Sequence, residues 1–137
     1  MTGARRRMEA EVATSILIVD DSKLARIVVG KAVAAIQPDW TRLEAGSADE
    51  ALALLASHDV DVVIVDYNMP GRNGLELAEE VRRQRPQMPI AVATANVQDE
   101  VVARARTANA AFVSKPITEE GLRPFLTGAA LKLRSGS

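Results

Sequence analysis

Four apolar runs of the chain end in side chains able to act on a charged substrate. Ile16–Val19 closes on Asp20 and Asp21, Val62–Val65 on Asp66, Met88–Ala93 on Thr94, and Ala111–Val113 is followed by Ser114, Lys115 and Pro116. Three carboxylates held close repel one another, and a hard divalent cation bound through oxygen relieves that repulsion. Mg²⁺ suits such a set, because it takes one or two carboxylates, keeps several waters and leaves positions for a phosphoryl oxygen. A carboxylate beside such a cation and a lysine ammonium can attack a phosphoryl donor to give an acyl phosphate. The cation and Lys115 would spread the charge developing on the transferring oxygens, and Thr94 offers a hydroxyl donor to the same oxygens. Ala95, beside Thr94, leaves room for the donor to enter.

Each of these residues alone has a commonplace explanation. An Asp after a strand caps a helix or makes a turn, Thr94 can start a helix, and Lys115 can be a surface lysine. Their joint placement at strand ends carries the argument. In open α/β sheets, ligands bind just beyond the carboxyl ends of the strands.

The elements that would position them follow from the apolar patterning. Val62, Val63, Ile64 and Val65 are consecutive and aliphatic, as expected of a strand covered on both faces, and Ile16–Val19 reads the same way. Ser22 caps a predicted helix whose inward positions are Leu24, Ile27, Val28, Ala32, Ala35 and Ile36, ended by Gln37-Pro38-Asp39. Trp40–Glu44 is a short, more polar strand suited to a sheet edge. Ser47 and Glu50 form a predicted capping box for a helix with Ala51, Leu52 and Leu55 inward. Tyr67–Gly74 is a turn segment, leading to a helix with Leu75, Ala78 and Val81 inward. Met88–Thr94 is the fourth strand, Val97, Val101, Val102, Ala105 and Ala108 line the next helix, and Ala111–Val113 is the fifth strand. Thr118, Glu119 and Glu120 suit a helix start, yet Pro124 removes a backbone donor, which predicts a last helix that is bent or begins near Arg123. Five strands alternating with five helices imply a parallel sheet with right-handed crossovers and helices on both faces.

Composition bounds the rest. A chain of 137 residues, 47% hydrophobic, is long enough for one domain with a core and short for two. Lys+Arg 17 against Asp+Glu 18 gives a net charge of −1, so there is no general electrostatic case for a nucleic acid or an anionic membrane as partner. The absence of cysteine excludes disulfides and thiolate chemistry. No apolar run reaches membrane-spanning length, and the chain reads as a cytoplasmic protein. His58, the only histidine, reads as a surface residue. Residues 1–14, with Arg5, Arg6 and Arg7, read as a flexible or short helical lead, 15–133 as the domain, and 134–137 as a frayed tail.

The segments ILIVDDS at 16–22, VVIVDYNMPGRNGLEL at 62–77, AVATA at 91–95 and FVSKP at 112–116 together resemble the receiver domain of two-component response regulators, including the stand-alone chemotaxis type. The resemblance covers about Ser15 to Leu131. It implies a flavodoxin-like doubly wound sheet of order 2-1-3-4-5 flanked by five helices. It also implies that Asp66 accepts the phosphoryl group and that Asp20 and Asp21 hold Mg²⁺, with the backbone carbonyl of Asn68 and Asp66 itself completing the protein ligands. Asn68, Ala95 and Lys115 would contact the phosphoryl group, Thr94 and Phe112 would be the switch pair, and Pro116 would follow a cis peptide bond. Asn68 and Asn96 occupy positions flanking the phosphosite that, in the family the chain resembles, tune the lifetime of the acyl phosphate.

The function expected is a phosphorylation-activated switch. A histidine kinase or histidine phosphotransfer protein would supply the phosphoryl group, and the altered surface of helix four, strand five and helix five would control a downstream protein. A phosphorylation-dependent dimer is left open, and no direct nucleic-acid or membrane binding is expected. The chain ends after the fifth helix, which favours a stand-alone receiver; a receiver belonging to a longer regulator and a phosphorylation-independent interaction module are the alternatives. A metal-dependent hydrolase is weaker, because no separate acid or base is aimed at a leaving group.

Overall fold

The computed structural model describes residues 14–95 and 98–135. The expected lead, apart from Thr14, and the last two residues of the expected tail lie outside them, as do Asn96 and Val97. The order is β1 (Ser15–Val19), α1 (Lys23–Ile36), β2 (Thr41–Ala45), α2 (Ala48–Ser57), β3 (Val62–Asp66), α3 (Gly74–Gln84), β4 (Ile90–Thr94), α4 (Asp99–Thr107), β5 (Ala111–Ser114) and α5 (Glu119–Ser135). All five strands are parallel and lie in the order β2-β1-β3-β4-β5.

Strands β3 and β4 are buried along their whole length, as their aliphatic sequences require, whereas β2 is a largely exposed edge. Alternate residues feed two cores. Leu17, Val19, Val63, Val65 and Val92 pack with Ala51, Leu55, Leu77 and Val81 of α2 and α3. Ile16, Ile18, Val62, Ile64 and Val113 pack with Val29, Val33, Leu122 and Leu126 of α1 and α5. Each such Val, Leu or Ile side chain withdrawn from water contributes about 1.5–3 kcal/mol.

Three local expectations need correction. Helix α1 departs from the predicted stripe: Ala32 and Ile36 face the core as expected, but Val29 and Val33 are buried in place of Leu24, 71% exposed, Ile27, 40%, Val28, 48%, and the exposed Ala35. The run Ile27-Val28-Val29 offers two helical stripes of equal quality, and only the tertiary anchoring of the helix chooses between them. Ser47 does cap α2, but Glu50 accepts from the amide of Gly46 rather than closing a box on Ser47; the full capping box is Asn73 with Glu76 at α3. Of the two alternatives for α5, bent or begun near Arg123, the second does not hold: the helix starts at Glu119. Thr118 Oγ1 accepts from the Gly121 amide, and Pro124 is carried inside the helix between the fully buried Leu122 and Leu126. The carbonyl that loses its donor is that of exposed Glu120, where water can replace it.

The edge of the sheet opposite the acidic residues is tied by arginines. Arg82 donates to the carbonyls of Ala108, Asn109, Arg85 and Pro86, and Arg85 donates to that of Leu55. Carbonyls in or just beyond the last turns of α2, α3 and α4 are thereby satisfied by cationic donors, which also suit the negative ends of the helix dipoles. Arg82→Ala should therefore lower the free energy of unfolding by roughly 2–4 kcal/mol, at about 1 kcal/mol per lost hydrogen bond. Urea denaturation measures it, and a loss under about 0.5 kcal/mol would remove the clamp from the account.

Candidate functional site

The central strand β3 ends in Asp66, which is 5% exposed. On one side, β1 runs into Asp20, also buried, and exposed Asp21. Asp20, Asp21 and Asp66 each bring a carboxylate oxygen within 4.8 Å of the others. On the other side, β4 ends in the fully buried Thr94, whose carbonyl accepts from the Lys115 amide at 3.0 Å. That bond hangs the residue after β5 from the end of β4. The Lys115 ammonium then reaches past β4 to pair with Asp66 Oδ1.

The loop after β3 is folded tightly under the acid. Gly74 donates its amide to the Tyr67 carbonyl at 2.9 Å, and a Cβ on Gly74 would lie 2.2 Å from the Asp66 carbonyl oxygen. Only glycine fits there, so the start of α3 rests directly on the backbone of Asp66. Gly71, at φ +77°, makes the turn that brings the chain back.

Burial is the main influence on Asp66 and pushes its pKa up; the hydrogen bond and charge of Lys115 oppose this, while the charges of Asp20 and Asp21 add to it. Oδ1 meets no hydrogen-bond donor other than the Lys115 ammonium among the described residues. A buried, under-satisfied carboxylate with two acidic neighbours is a donor set of hard oxygens, and it fits Mg²⁺.

The structure brings Asp20, Asp21, Asp66, Thr94 and Lys115 to one edge. Asn68 and Ala95 are exposed in the two loops flanking that edge, and the Lys115–Pro116 peptide bond is cis. Phe112 is half-buried on edge strand β5, opposite Val92, and belongs to neither core cluster. His58 is exposed and contacts Ser57 Oγ through Nδ1. Two positions were missed in sequence: Gly74, legible only as a turn residue, and Arg26, which no spacing rule connects to Asp20.

A doubly wound parallel sheet with an acidic cluster and a lysine at the carboxyl ends of its strands defines a class of α/β protein. The chain belongs to the response regulator receiver domain family, whose model matches residues 16–127. It is 35% identical over 137 residues to the transcriptional regulatory protein PdtaR of Mycobacterium tuberculosis H37Rv, covering 98% of this chain and 65% of the relative. It is 30% identical to the nitrate/nitrite response regulator NarL of Escherichia coli K12, covering 90% of this chain and 57% of NarL. The chain thus spans about two thirds or less of the length of these relatives. Among solved structures, chemotaxis protein CheY4 of Vibrio cholerae superposes with a TM-score of 0.77 at 28% identity, covering 85% of this chain and 98% of CheY4. The signal receiver domain of an HD domain-containing protein from Pseudomonas fluorescens Pf-5 gives 0.82 at 26%, covering 90% and 98%. Among the described residues no helix is long and apolar enough to cross a membrane.

A carboxylate with a raised pKa has a defined effect on stability. Its contribution is fully present below the unfolded-state pKa and is lost as pH rises through the folded pKa, so ionised Asp66 opposes folding at neutral pH. In EDTA at neutral pH, Asp66→Asn should raise the Tm above that of wild type, with the gap closing as pH falls through the carboxylate range. A lower Tm for the variant at neutral pH would show that the ion pair with Lys115 outweighs burial and like-charge repulsion.

Proposed function

We propose that this receiver is a phosphorylation-activated switch in which Asp66 accepts the phosphoryl group, acting in the cytoplasm. The observation that carries the reading is the convergence of Asp20, Asp21 and Asp66 within 4.8 Å, with Lys115 paired to the central acid. Burial makes Asp66 a stronger base than a free carboxylate, while Lys115 favours its ionised form, and a nucleophile needs both. An oxygen of Asp66 attacks phosphorus, the bond from phosphorus to the donor's imidazole nitrogen or acyl oxygen breaks, and the leaving group departs with the electron pair. Asp20, Asp21, Asp66 and the Asn68 carbonyl would hold Mg²⁺, which when bound supplies positive charge for the phosphoryl oxygens.

The chain's own groups then rearrange around the product. Lys115 exchanges the Asp66 carboxylate for a phosphoryl oxygen, and Thr94 donates its hydroxyl to another, with Asn68 and Ala95 at the entrance. Movement of Thr94 would leave space into which Phe112, half-buried on edge strand β5, turns, and the face formed by α4, β5 and α5 changes. A downstream protein reads that face.

The phosphodonor in this reading is a protein, a histidine kinase or histidine phosphotransfer protein, and an exposed apolar stripe on α1 supports a docking surface for it. Leu24, Ile27 and Val28 are exposed one turn apart on α1, beginning three residues after Asp21, between exposed Lys23 and Lys31. A donor carrying its phosphohistidine to Asp66 from this side covers that stripe.

With Mg²⁺ and acetyl phosphate, wild type should gain the mass of one phosphoryl group as an alkali-labile adduct, and Asp66→Asn should gain none. An adduct of equal yield on Asp66→Asn, or none on wild type, would overturn the reading. The double variant Leu24→Gln/Val28→Gln should accept phosphate from acetyl phosphate at the wild-type rate while losing about tenfold in transfer from its protein donor. Equal losses with both donors would place the effect in the site and not in docking.

A further inference from the structure

The acidic loop between β1 and α1 is held by a residue to which no chemistry has been assigned. Arg26, in the second turn of α1, donates from Nη1 to the main-chain carbonyl of Asp20 at 2.7 Å and from Nε to Glu44 Oε1 of β2 at 2.8 Å. Its side chain is 17% exposed. The sheet explains why a side chain is needed here. In a parallel pair, the N–H and C=O of one residue point to the same neighbouring strand. The Asp20 amide donates to Ala45, and with Val19 opposite Ala45 the Asp20 carbonyl would next accept from the Ser47 amide. The chain leaves the sheet at Gly46, and Ser47 turns into the N-cap of α2, so that amide is withdrawn. The Arg26 guanidinium takes its place.

We propose that Arg26 is a positioning residue for the cation and phosphoryl site: strung between the Asp20 carbonyl and Glu44, it sets the backbone from which the Asp20 and Asp21 carboxylates are aimed at Asp66. The inference rests on the reading of the acidic cluster as a Mg²⁺ site. Three further contacts make the loop rigid. The Ser22 amide donates to Asp20 Oδ1 at 2.9 Å, Ser22 Oγ accepts from the Ala25 amide, and the Arg26 amide donates to the Ser22 carbonyl. The loop is thus closed through the first turn of α1 on one side and through Arg26 on the other. Without Arg26, the Asp20 carbonyl is left without its donor at a nearly buried residue, and the loop must move to solvate it.

Glutamine at position 26 is too short to reach both acceptors but keeps the helix. In full-length protein titrated with Mg²⁺ by calorimetry, Arg26→Gln should weaken the dissociation constant by about tenfold, the usual scale for residues that orient metal ligands. Arg82→Gln, at the far edge, is the control for general loosening and should bind Mg²⁺ as wild type does, whatever its Tm. Wild-type affinity in Arg26→Gln would overturn the proposal while leaving the site intact. So would an equal weakening in Arg82→Gln, which would reduce Arg26 to a general support. No Mg²⁺ binding by wild type would instead remove the cation reading, and this inference with it. A second readout separates positioning from stability: at saturating Mg²⁺, Arg26→Gln should recover most of its phosphorylation rate with acetyl phosphate, and a deficit unchanged by Mg²⁺ would count against a role through the cation.

Discussion

The structure turns on a carboxylate kept where a carboxylate is poorly solvated. Asp66 ends the central strand, nearly out of water, with Asp20 and Asp21 on one side and, among the described residues, the Lys115 ammonium on the other. Like charges at this spacing in a partly dry edge raise the free energy of the folded chain, and one lysine does not offset three acids. In the proposed function, a cation and an electrophilic phosphorus would offset this repulsion. Everything that fixes the ends of β1, β3, β4 and β5 serves to keep this unfavourable cluster from relaxing.

The two edges of the sheet are accordingly built in opposite ways. At the far edge, helix carbonyls in search of donors are met by Arg82 and Arg85, so charge and dipole agree. At the near edge, acids converge, and the loops that hold them depend on close fits: Gly74 against the Asp66 carbonyl, Lys115 hung from Thr94, Arg26 in place of a missing strand amide. The two hydrophobic layers and the far-edge clamps supply the stability against which the near edge is strained. Proteins commonly depart from local consistency at functional positions, and here the departure is confined to one edge.

Most of this was legible in the amino-acid sequence where a pattern is one-dimensional. The aliphatic runs marked the strands, their terminal residues marked the cluster, and the polar Trp40–Glu44 stretch marked the edge, with only Trp40 itself falling outside β2 as a buried residue. What was not legible is whatever depends on rotation about an axis or on side chains reaching between elements. The α1 stripe could be drawn through Ile27 and Val28 or through Val29 and Val33, and the choice is made by contacts far apart in sequence, including that of Arg26 with Glu44. Pro124 shows the limit of propensity: a helix interior accepts it because Leu122 and Leu126 on either side are fully buried and Thr118 caps the start. Gly74 was read as a turn, and only the 2.2 Å approach to Asp66 shows that it is a packing surface.

The uneven anchoring of the helices bears on how a change at Asp66 would travel. Helix α4 has nine residues, no side-chain hydrogen bond at its N-cap, and only Val101 and Ala105 buried within it. Its ties to α3 include the bidentate pair of Arg104 with Glu79, both partly exposed and so weak in water. It starts five residues after Thr94 and packs on β5, the strand that carries Phe112. Helices α1 and α5, by contrast, share a buried layer with Leu122, Leu126, Val29 and Val33. Regions with few buried contacts open at the lowest free energy, so a rearrangement at Thr94 meets least resistance toward α4 and β5. In the proposed switch, the metal loop is therefore the rigid half, closed through Arg26 and α1, and the output face is the soft half. In that reading the same acid is held firmly from one side and would be read out through the other.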